Sequence, residues 1–162
     1  MTSFELYVAR HKAERPAFLR VLKAIPAERR DYRPDPKSRT AMELAWMLAS
    51  EEVGMVSLLE KGEVAWTETP PPARSEDIVA LFERSADEVD RRLKGFDATR
   101  WSGQKARFLM GGAPVWEDTL EQMAWGFLFD AIHHRGQLST YLRPMGGKVP
   151  AIYGPSADDK GE

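Results

Sequence analysis

No cysteine occurs anywhere in the 162-residue chain. That absence excludes disulfides, thiolate zinc sites, iron–sulfur clusters and a protein thiol nucleophile together, so any metal must rest mainly on histidine, aspartate and glutamate. Thiol chemistry, if there is any, must arrive with a substrate. An excess of charge of one sign is missing too: 23 basic and 25 acidic side chains leave a net charge of −2, with no overall field to draw in nucleic acid or an anionic membrane. No apolar run approaches the ~18 residues of a membrane span, and Met1-Thr2-Ser3-Phe4 lacks the basic start and apolar core of a secretion signal. A cytoplasmic protein with no nucleic-acid and no membrane partner is expected. Phosphate-cradling glycine loops, nucleophile elbows, basic recognition helices, internal repeats and low-complexity tracts are also absent.

What is present is a globular balance, 43% hydrophobic and 30% charged, in a chain long enough for one domain to bury about 70% of its unfolded surface. Four segments show helical periodicity and no convincing strand alternation runs beyond a few residues, so the expected class is all-α, a four-helix bundle. The helices are expected near 3–25, 40–61, 75–94 and 116–143. Thr2 with Glu5 and Thr40 with Glu43 have capping-box spacing, Ser75-Glu76-Asp77 suits a helix start, and Lys61-Gly62 a helix end. Pro16 predicts a kink or break in the first helix. The prolines at 70–72 read as a stiff connection, and Arg107 to Gly112 as a short turn over the bundle. Residues 1–147 form the bundle in this reading, and 148–162 an irregular tail with a frayed acidic end.

Unusual residues on the apolar stripes are the informative ones. The fourth stripe reads Leu120, Met123, Phe127, Asp130, His134, Leu138, Tyr141, which turns Asp130 and His134 into the apolar face. At i,i+4 they can share a metal ion, or they can form a structural hydrogen bond. A buried carboxylate needs a cation or hydrogen bonds, so the pair calls for an explanation. Glu51 is the one acid on the second stripe and His11 the one histidine on the first; either can complete a site across the bundle, while the plainer roles are a salt bridge for Glu51 or Glu52 and a hydrogen-bonded core position for His11. His133 and Arg135 flank the stripe, where they can move a proton or bind an anion, or sit at the core edge and in an ion pair with the third helix. A di-iron centre is not expected, because the acid-x-x-His spacing of Asp130 to His133 has no second copy.

Three segments carry a resemblance: Tyr32-Arg33-Pro34-Asp35-Pro36-Lys37-Ser38-Arg39-Thr40 leading into Glu43-Leu44-Ala45-Trp46-Met47, then His133-His134-Arg135-Gly136-Gln137-Leu138, then Val149-Pro150-Ala151-Ile152-Tyr153-Gly154-Pro155. Together they resemble the DinB family of small bundle proteins, with His-Arg-Gly-Gln in a late helix the most specific element. The resemblance implies a DinB/YfiT-like four-helix bundle, a homodimer, and a divalent metal (nickel, zinc or iron) at one end of the interior. It also implies a small-molecule substrate, with thiol-dependent transfer or hydrolysis as the reaction. The family's metal triad is a histidine on the second helix and two ligands four residues apart on the fourth. His134 matches the last of these and Asp130 the acidic variant of the one before it. The remaining position falls on Met47, whose thioether is a weak ligand for such metals, leaving Glu51 or His11 as the substitute. A binding or stress-response module that has lost the metal reaction is the alternative that Met47 favours.

Overall fold

The computed structural model describes residues 1–161. Four helices carry the fold: α1 (Ser3–Lys23), α2 (Ala41–Lys61), α3 (Ser75–Lys94) and α4 (Leu120–Leu142). Both capping boxes form, with Thr2 and Thr40 each accepting a hydrogen bond from the backbone three residues on while Glu5 and Glu43 accept one from the cap. Each box satisfies two amide groups that a helix start otherwise leaves without partners. Gly62 ends α2 at φ 70°, the left-handed region open to glycine. The four stripes meet in one core that holds Leu44, Phe82 and Phe127 together.

Pro16 does not break α1. The missing amide leaves a gap in the ladder at Lys12, and Lys12 is exposed, so water can serve the freed carbonyl.

The all-α expectation is corrected by a three-stranded sheet. Strand β1 (Glu63–Trp66) pairs in parallel with β2 (Lys105–Met110), which pairs antiparallel with β3 (Ala113–Thr119). Gly111 and Gly112, at φ 57° and 81°, turn β2 into β3; two successive positive φ values suit the twist of a hairpin and cost a glycine little. The ladder slips between Phe108 and Leu109. Residues 116–119, expected as helix, are the end of β3, and Thr119 caps α4 by accepting from the Gln122 amide. The sheet packs on α2 and α4, and this fixes where the cavity lies.

The segment after α4 forms no helix or strand among the described residues, and its described acidic residues are tied down rather than frayed. Asp158 accepts from Arg143 Nε and from the Val149 amide, both at 2.9 Å, and Asp159 accepts from the Ala151 amide at 2.8 Å. Arg20 Nε on α1 donates to the Ala151 carbonyl at 2.9 Å. Glu162 lies outside the described residues.

Candidate metal centre

A cavity of about 520 Å³ opens between α2, α4 and the sheet, well within the size range of small-molecule sites. Met47 and Glu51 reach it from α2, one helical turn apart, and Asp130 and His134 reach it from α4 with the same spacing. Glu51, Asp130 and His134 each offer a ligand atom, and these atoms lie within 4.8 Å of one another. His134 Nε2 is 3.5 Å from Asp130 Oδ2 and 4.0 Å from Glu51 Oε1.

The group has a buried side and an open side. Glu51 is only 5% exposed, whereas the Asp130 side chain is 60% exposed and stands at the mouth, not in the apolar face as its stripe predicts. Burial pushes the Glu51 carboxyl well above its ordinary range, and the charges of Asp130 and Glu52 push it the same way. Its Oε2 is buried without a hydrogen-bond partner, a costly position for an ionised carboxylate, which either a retained proton or a cation relieves. On the other side of the His134 ring, Nδ1 meets Gln137 Oε1 at 2.8 Å. An amide oxygen only accepts, so Nδ1 is the donor in this contact and Nε2 is the ring atom that faces the two carboxylates. Gln137 is the residue that sequence reasoning left without a role; its i,i+3 spacing from His134 was the available signal.

The other expected site residues go elsewhere. His133 is exposed and lies beside the His134 ring at 5.3 Å between centroids. Arg135, 1% exposed, does not line the cavity and does not pair with α3. Its Nη1 donates to Glu14 Oε2 on α1 at 2.6 Å and its Nη2 to the Tyr153 hydroxyl at 2.6 Å, which in turn donates to the same Glu14 oxygen at 3.0 Å. The guanidinium also lies over the Phe18 ring, 4.6 Å from its centroid. The arrangement binds α4, α1 and the final segment together.

His11 is likewise not brought to the triad. It is 4% exposed, with Nε2 at 3.1 Å from Glu52 Oε1. Nδ1 is 3.7 Å from Asp90 Oδ1 on α3, too far for a hydrogen bond, so Asp90 acts through its charge. Burial alone would push the imidazole down, but Asp90 and Glu52 outweigh it and raise its pKa from 6.5 to about 9. His11 is thus a buried cation, and Glu52 its counter-ion rather than an edge salt bridge.

Two acids and one imidazole form a donor set of the borderline-to-hard kind that suits zinc or ferrous ion and gives soft metals little to bind. The described residues hold no other cluster of three such ligands, and no helix is long and apolar enough to cross a membrane.

Comparison with known proteins brings out the same end of the chain. The DinB family model matches residues 119–161, a stretch that includes Asp130 and His134. A solved DinB-like protein from Bacillus subtilis is similar over 88% of this chain and 93% of its own, at 18% identity and a TM-score of 0.68. Another, from Bacillus cereus, is similar over 92% and 97%, at 18% identity and a TM-score of 0.75. Likeness at this identity is a statement about the fold. No curated protein matches the chain by sequence.

Proposed function

We propose, from the DinB assignment that the family match and the shared fold support, that the chain holds one divalent cation between Glu51, Asp130 and His134 and uses it on a small molecule in the adjoining cavity. The observation that carries this reading is the group of three ligand atoms, from Glu51, Asp130 and His134, within 4.8 Å of one another, with the Glu51 carboxyl buried. A divalent cation there supplies Lewis acidity, lowering the pKa of a small nucleophile and balancing negative charge that develops in the substrate.

The chain's own residues do the rest. Glu51 gives up its proton when a cation arrives, since the charge that burial opposes is then matched. Gln137 holds the His134 ring so that Nε2 faces inward, and Asp130 closes the group from the solvent side. The absence of cysteine assigns any thiol to the substrate, which suits thiol-dependent transfer as well as hydrolysis. Met47 is the feature that favours a module without a reaction. With Glu51 one turn further along α2, the missing histidine no longer leaves the site a ligand short.

Elemental analysis of protein made without a histidine tag tests the proposal. About one zinc, nickel or iron per chain is expected in the wild type, with the metal lost from His134→Ala. Metal-free wild type that stays metal-free after dialysis against zinc would refute it.

A further inference from the structure

The cavity wall is aromatic on the side of the sheet. Trp66 of β1 and Phe108 of β2 lie 5.9 Å apart between ring centroids, and Phe108 lies 5.8 Å from Phe127 of α4. Trp116 of β3 adds a fourth ring, seated directly on the backbone of α4 at Gly126. A Cβ at Gly126 would overlap Trp116 Cη2, so the glycine is what lets the indole lie that close.

Away from the triad the cavity offers no free charge. Arg39 Nη2 donates to Glu68 Oε1 at 2.9 Å near the mouth. Among the described residues no lysine lines the space, and the one arginine there is already paired. A charged group laid against the aromatic wall, away from the triad, would lose hydration with no unpaired counter-charge to replace it.

We infer that the cavity takes a molecule with an uncharged, flat aromatic or fused-ring body, laid along Trp66, Phe108 and Trp116 with its reacting atom turned toward the triad. This rests on the proposed metal reading, which puts the reacting atom at the triad. A ring against aromatic faces gains both buried area and stacking.

Two probes of similar size test it on zinc-loaded protein: naphthylmethanol and its saturated counterpart decahydronaphthylmethanol, with affinities read from tryptophan fluorescence and indole N–H shifts. Naphthylmethanol should bind about tenfold more tightly than the saturated probe. Trp116→Ala, at a partly exposed ring that can be removed without opening the core, should weaken it about tenfold. Gly126→Ala should weaken it as well, by lifting the indole off α4. Equal binding of the two probes to the zinc form, a preference for the saturated one, or no effect of either substitution would overturn the inference while zinc binding, measured on the same samples, leaves the metal reading standing. Failure of the wild type to take up zinc would bring down the metal reading and this inference with it.

Discussion

Replacing Arg135 by alanine should lower the free energy of unfolding by about 3–5 kcal/mol, the range found when one partner of a buried ion pair is removed. The reason is the charge left behind. Glu14 Oε2 accepts from both Arg135 and Tyr153, and without the guanidinium it is a buried carboxylate with one neutral donor. The cation over Phe18 and the link to the final segment go at the same time. Urea unfolding measures the loss. The double replacement Glu14→Leu/Arg135→Met should recover much of it, since an apolar pair of similar volume avoids the desolvation of two charges. Because Arg135 does not line the cavity, zinc affinity of Arg135→Met should match the wild type. A tenfold loss of zinc affinity with unchanged stability would return Arg135 to the site.

A second large effect is expected from His11. Its folded pKa is raised from 6.5 to about 9, so the native state holds a proton that the unfolded state releases between those values. Stability from this group is therefore fully present below pH 6.5 and is lost as pH rises through about 9. The loss should be on the order of 3 kcal/mol, since each tenfold gain in proton affinity on folding is worth about 1.4 kcal/mol. Chemical denaturation from pH 6 to 10 should show the decline, and His11→Gln should remove its slope while lowering stability at neutral pH. A flat profile in the wild type would mean that Glu52 and Asp90 do not hold the imidazole charged.

The helices were legible because their signals are local. Both capping boxes lie within four residues, Gly62 directly follows the last turn of α2, and each apolar stripe repeats on its own helix. The sheet was not, because its pairing is not local. Glu63 pairs with Arg107 across α3, and β3 is mostly exposed and so shows no alternation. Gly111-Gly112 between two short runs was the one hairpin signal available.

The candidate site divides along the same line. The i,i+4 spacing of Asp130 and His134 and the lone acid Glu51 on its stripe could be read from the chain, and the structure brings their ligand atoms together. Spacing gave no information on how far each helix is rotated. That rotation puts Asp130 at the solvent side, turns Arg135 inward to Glu14, and hands His11 to Glu52.

The central claim is that the donor expected at Met47 is supplied one turn along α2 by Glu51. Calorimetric titration of metal-free protein with Zn²⁺ tests it most directly, on the wild type, Glu51→Gln and Met47→Leu. Glutamine keeps the shape of Glu51 and removes its charge, so its affinity should fall by about 100-fold or more, ~2.7 kcal/mol, since disturbing even an outer partner of a metal ligand costs 10–100-fold. Met47→Leu should bind as the wild type does. Wild-type affinity in Glu51→Gln, or its collapse in Met47→Leu, would contradict the account.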